Sequence, residues 1–322
     1  MLISTLISAL LLAAPVQASV PQAQEPSSVP ATDLEDIVVE GRRLEEVTQD
    51  FVREVGAPAG GRGLARWRNG VCVGVANLQN DAAQYIADRV STVAQDLGLR
   101  VGDPGCEPSI LIVATQDANA FTPQFVASRP RLFIVGGTGM DRGRNALQRF
   151  ETNDQPVRWW NVSVPVDGDT GQIAVRLPGS VNGGADNGDA NSVMLFAPNI
   201  DVRAASRLST QIVDDTKRTF VIVDVTKISA ISLAQLADYI ALVSMAQVDP
   251  EADTSGYATI LNVFDDPTQT EGLTNWDKAY LHGLYDATRT RKSQGASRTE
   301  IVASIIGAHH DLARAASQDS AQ

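Results

Sequence analysis

Between residues 81 and 98 the apolar positions recur at helical spacing: Ala83, Ile86, Val90, Val93 and Leu97 fall on one face and polar residues take the other. The pattern predicts a helix over 81–98, capped by Asn80 and stopped by Gly98. A second stretch, 231–247, has Asp238 as its one charge and carries Leu233, Leu236, Ile240, Val243 and Gln247 at helical intervals. A helix so apolar on every side belongs in the centre of a fold. Capping pairs Ser232/Gln235, Thr274/Asp277 and Ser297/Glu300 mark the start of this helix, of another reaching Ala287, and of a last one lined by Ile301, Ile305 and Leu312.

Short apolar runs between turn residues predict strands at 71–75, 110–114, 132–135, 159–166, 172–177, 193–197 and 219–225. Asp167 to Gly171 reads as the loop of a hairpin, and 179–192 as a Gly/Asn/Asp loop. Near the front, Ile37, Val38 and Val39 form a β-prone run within Asp36–Arg43, followed by a helix over 44–55. The expected architecture is α+β: a mixed sheet with a central buried helix and C-terminal helices. One domain is expected over 34–318, with a β-rich insertion at about 150–215 and a helical part over 230–318.

The opening of the chain carries a different signal. Leu2 to Ala14 is an apolar run of signal-peptide length, interrupted by Pro15, and Val16-Gln17-Ala18 supplies small residues for cleavage. Residues 1–18 are therefore expected to be a signal peptide and the Pro/Ser/Gln-rich stretch 19–33 a flexible linker. The expected location is periplasmic or secreted, with no membrane span after cleavage. Export bears on Cys72 and Cys106, the two cysteines of the chain. In an oxidising space they are expected to pair; two buried thiols are the alternative.

Charge narrows the partners. Asp and Glu number 38 against 26 Lys and Arg, a net charge of -12. A surface so acidic argues against nucleic acid and anionic lipid; an envelope protein is the partner that stays open.

No reaction is singled out. Gly136-Gly137-Thr138-Gly139 resembles a phosphate-binding turn, but Arg142 stands where a third glycine belongs and no P-loop lysine follows. No G-x-S-x-G pentapeptide and no H-E-x-x-H occur. Asp167/Asp169 and Asp186/Asp189 lack EF-hand spacing and read as turn residues. His282 and Asp286 would share a helix face, whereas His309 and His310 point about 100° apart and cannot chelate together. These readings leave no cofactor and no metal expected, and lean away from an enzyme.

The run from strand 219–225 through the long helix to Tyr257-Ala258-Thr259-Ile260-Leu261-Asn262 and then Leu273-Thr274-Asn275-Trp276-Asp277 and Leu281-His282-Gly283-Leu284-Tyr285-Asp286 resembles the C-terminal half of secreted bacterial zincin-like proteins of unknown function. The resemblance takes in the helix 81–98 and strand 110–114 more loosely. A zincin helix bears two His four residues apart and a Glu base; residues 231–247 hold neither His nor Glu. The resemblance thus implies a degenerate zincin-like fold with the zinc motif lost: an exported non-catalytic binding or scaffolding protein. A hydrolase with a carboxylate-based site is an alternative. A third reading comes from Asp36–Arg43, which resembles the segment ahead of the plug in TonB-dependent receptors. It implies an envelope assembly factor engaging a partner through the 33–43 strand.

Overall fold

The computed structural model describes residues 34–133, 142–174 and 208–319. The chain divides into two units, 1–40 and 41–322, so the division falls inside the first helix, α1 (Leu34–Val55). The second unit is built on a four-stranded sheet in the order β2 (Val73–Ala76), β4 (Ile110–Thr115), β6 (Ile212–Asp224), β5 (Val157–Asp167). The first three strands are parallel, and β5 runs antiparallel to β6 at the edge. A two-stranded ribbon, β1 (Gly70–Val71) with β3 (Arg100–Val101), lies apart from this sheet.

Alternation along the strands makes the layers. Ile110 and Ile112 on β4, Val221 and Val223 on β6, and Val157 and Trp159 on β5 join one apolar cluster. It also takes in α2 (Asn80–Asp96) and α6 (Leu233–Met245). The intervening Val113, Phe220, Ile222 and Trp160 join a second cluster with α3 (Ala118–Ser128), α4 (Pro130–Phe133) and α5 (Arg144–Thr152). Helices on both faces of a largely parallel sheet follow from strands that are apolar on both sides.

Several expected elements form as read. Helix α2 buries Ile86, Val90, Val93 and Ala94. It ends at Gly98, whose φ of 76° suits glycine. The Gly98 and Leu99 amides donate to the Gln95 and Ala94 carbonyls in a Schellman arrangement. Helix α6 is buried continuously from Gln235 to Met245, and its capping box of Ser232 and Gln235 is complete. The box of Thr274 and Asp277 opens α7 (Asn275–Asp286) in the same way. Tyr257, Trp276 and Tyr280 set their rings about Phe51 of α1 at centroid distances of 4.9, 5.4 and 5.3 Å.

Other expectations are corrected. Residues 36–43 are helical, part of α1. The β-branched run Ile37-Val38-Val39 is outweighed by a helical period running from Leu34 through Leu44, Thr48, Phe51 and Val55. Leu132 and Phe133 close the short helix α4, with Phe133 buried among Phe125, Phe150 and Phe220. Asn80 is the first helical residue of α2, and Gln79 holds the cap position. The last helix, α8, spans Gln294–Asp319. It begins ahead of Ser297, with the Ser293 hydroxyl accepting the Ala296 amide. Strand β5 pairs with β6 along its whole length. Beyond Asp167 the expected hairpin is reduced, among the described residues, to a bridge between Val166 and Ile173. Residues 1–33, Gly136–Gly139, Asp186, Asp189 and 193–197 lie outside the described residues.

A candidate anion-binding cleft

At the start of β6, four chain segments enclose a cleft of about 300 Å³. The segment 61–66 forms one wall, and β6 with Pro165 of β5 forms another. The C-terminal end of α7 and the first turns of α8 complete it. Thr210 and Lys292 lace the walls together: the Thr210 amide donates to the Thr290 carbonyl at 2.8 Å, and the Lys292 amide to the Leu208 carbonyl at 3.1 Å.

The charges lining it are one-sided. Arg62, Arg66, Arg289, Arg291 and Lys292 line it, and Asp214 is the carboxylate among the described lining residues. Arg291 is paired with Glu300 at 2.9 Å. Arg62 pairs with Asp214, and Arg289 donates to the Asp214 carbonyl and, at 2.5 Å, to the Asp215 carboxylate. Asp215 also takes Arg68 at 2.5 Å. Among the described residues Arg66 has no carboxylate within salt-bridge distance. It donates to the Leu284 carbonyl at 2.5 Å and lies 5.9 Å from the centre of the Tyr285 ring. Burial, and then the neighbouring Arg289 guanidinium, lower its pKa to about 10. Burial likewise holds Arg62 and Arg289 below the usual arginine value, with Asp215 opposing the shift at Arg289. Cations crowded in a partly desolvated space favour an anion among them. The N-terminal turn of the 26-residue α8 opens beside them, and the positive end of its dipole adds to the same preference.

The residues singled out from sequence lie elsewhere. Cys72 and Cys106 form a disulfide, with Cα atoms 6.1 Å apart, tying the ends of β1 and β3 together. Ile37, Val38 and Val39 are in α1, so they offer no extended edge for strand addition. The Asp167 carboxylate accepts the Asp169 and Thr170 amides and the Thr170 hydroxyl, which is turn chemistry. His282 and Asp286 are both on α7, while His309 and His310 are on α8. The His309 ring stands 6.2 Å from that of Trp276. Among the described residues no three His, Cys, Asp or Glu side chains gather where they could hold a metal ion. Asp238, the lone charge of α6, pairs with Arg89 and accepts the Leu273 amide at 2.8 Å.

The cleft's own residues were not singled out by any motif. The available signal was compositional: three arginines within Arg62–Arg68 and three cations within Arg289–Lys292, in a chain that is otherwise acidic. Comparison with known proteins finds no matching family model, no matching curated protein and no matching solved structure. No helix among the described residues is long and apolar enough to cross a membrane.

Proposed function

We infer that this is an exported, non-catalytic binding protein with a degenerate zincin-like fold, and that it takes a small polyanion in the cationic cleft. The ligand class is a compound bearing two or more carboxylate or phosphoryl groups. The observation that carries the reading is a cleft lined by five cationic residues and one described carboxylate inside a protein of net charge -12. Guanidinium groups suit carboxylate and phosphoryl oxygens because their planar fork can donate two parallel hydrogen bonds. A volume of about 300 Å³ is at the small end of ligand sites, which favours a compact metabolite over a polymer. The zincin-like part of the reading is supported by a mixed sheet whose strand β6 precedes the buried helix α6, and by the lack of His and Glu on that helix.

Calorimetric titration of the full chain with citrate and with pyrophosphate tests this function. Saturable binding is expected for at least one, weakened by added salt. Arg66→Gln and Lys292→Gln should each reduce it. Neither anion binding, or binding indifferent to both substitutions, would overturn the reading.

A further inference from the structure

A second cavity, of about 260 Å³, has the opposite character. Trp159 on β5, Tyr239 on α6 and Phe264 are among its lining residues. Tyr239 meets Trp159 at 5.9 Å with the planes 74° apart, and Phe264 at 5.0 Å and 72°. Rings set so steeply to one another form a corner that presents π-faces in different directions. Asp249, Asp253 and Asp265 line the cavity too, and among the described residues no Lys, Arg or His does.

These carboxylates are not equivalent. Asp249 is paired with Arg142 at 3.4 Å and accepts the Glu251 amide. Asp253 closes a turn by accepting the Ser255 amide and hydroxyl. Asp265 makes no side-chain hydrogen bond or ion pair among the described residues, and its charge is felt at Tyr239. Tyr239 is the decisive group. It is 7% exposed, it lines the cavity, and its hydroxyl has no hydrogen-bond partner among the described residues. Burial, and then the Asp265 carboxylate, hold this phenol above the usual tyrosine range, so it remains protonated.

We propose that this cavity is a second ligand site, one that takes the ammonium group of a small primary amine between the Trp159, Tyr239 and Phe264 rings and the Asp265 carboxylate. The three parts are complementary to one chemical group. Aromatic faces attract a cation through their quadrupole. The unpaired carboxylate supplies the countercharge. The Tyr239 oxygen is placed to accept one ammonium N–H. The cavity volume leaves space for a short apolar body behind the charge and excludes a bulky one.

The site does not depend on the anion-binding reading, and its test uses a different probe. The full chain would be titrated with n-butylammonium chloride, followed by calorimetry and by tryptophan fluorescence, since Trp159 lines the site. n-Butanol serves as the neutral counterpart of similar size. Saturable binding of the ammonium is expected, with n-butanol at least about tenfold weaker. Tyr239→Phe and Asp265→Asn should each weaken the ammonium by a factor of several while leaving the melting curve in place, because the first conserves the ring and the second is exposed. Equal binding of alcohol and ammonium, no saturable ammonium binding, or an affinity untouched by both substitutions would each overturn the proposal.

Discussion

The closest approach between two helices in the described structure is set by an absent side chain. A Cβ built on Gly283 of α7 would lie 2.4 Å from both the Cα and the N of Ile305 on α8. Ordinary contact begins at 3.4 Å, so Gly283→Ala asks the helices to separate by about 1 Å. The neighbour is backbone and cannot turn aside. Nor can α7 withdraw easily, since Tyr280, Leu281 and Leu284 are buried and Asp277 is bonded to Thr259 and Ile260. Overpacking of this kind costs about 1–3 kcal/mol. Alanine returns up to ~1 kcal/mol through its better helix propensity. The expected outcome is a net loss of about 1–2 kcal/mol, read from urea unfolding at fixed temperature. Gly307 on the same α8 is the control, because a Cβ there meets nothing within 4 Å. Gly307→Ala should be neutral or stabilising by up to ~1 kcal/mol. The cleft lies between the end of α7 and the start of α8, so Gly283→Ala should also weaken citrate or pyrophosphate binding, whereas Gly307→Ala should not. A Gly283→Ala protein as stable as the parent would refute the reasoning about this contact.

Three further outcomes are expected. Ile240→Ala empties a fully buried position of α6 and should cost about 2–5 kcal/mol in denaturant unfolding. Replacing both Cys72 and Cys106 with alanine opens a covalent loop of sequence separation 34, with an expected loss of about 3–4 kcal/mol; intact-mass analysis before and after alkylation would confirm the bond in the parent. Asp224→Asn should cost about 1–2 kcal/mol at neutral pH. There the carboxylate accepts the Ala118 amide at 3.2 Å and the Thr226 amide and hydroxyl at 3.1 and 2.6 Å. Burial alone would raise the Asp224 pKa, but these hydrogen bonds outweigh it and the net shift is downward. The charged form is thus favoured in the folded state. Its contribution is present above the ordinary carboxylate pKa of about 4 and disappears as pH falls through the lower folded value. The stability gap between parent and variant should close in that acid window; a gap constant with pH would refute the assignment.

Periodicity read the interior better than the edges. Ile86, Val90 and Val93 announce α2 because burial on one face leaves a repeat of 3.6, and α6 is conspicuous because burial on all faces leaves almost no charge. The strands at Ile110 and Thr219 are legible for a similar reason: apolar neighbours on both sides produce unbroken apolar runs. Local propensity failed where a longer pattern overrode it. Ile37 to Val39 favour a strand in isolation, yet they are three residues of a 22-residue helix. Phe133 follows Arg131 and Leu132 in what reads as a strand, but it turns into an aromatic cluster as part of a single helical turn. The cleft was illegible for another reason. Arg62 and Arg66 are separated from Arg289 by more than two hundred residues of chain, and contacts with Asp214 and Asp215 bring them to the same strand. Tyr239 was legible as a core residue but not as a pocket group, since sequence does not show which core ring borders a cavity.

The same ladder that forms the sheet edge separates the two sites. Asp214 and Pro165, paired across β5 and β6, are at the cationic cleft, while Val157, paired with Val223, is at the aromatic pocket. Val157 and Pro165 are eight residue steps apart on β5. At a strand rise of ~3.3 Å per residue that is about 26 Å, some three Debye lengths at physiological ionic strength. Screening over that distance lets one protein keep a cluster of cations at one end of a strand pair and an acidic aromatic pocket at the other, without either neutralising the other. Helix α6 contributes to the pocket through Tyr239 alone, because its remaining faces are committed to the sheet and to neighbouring helices. A helix committed in that way can orient one phenol firmly, but it has no free face on which to assemble the set of side chains that a metal or a general base would require.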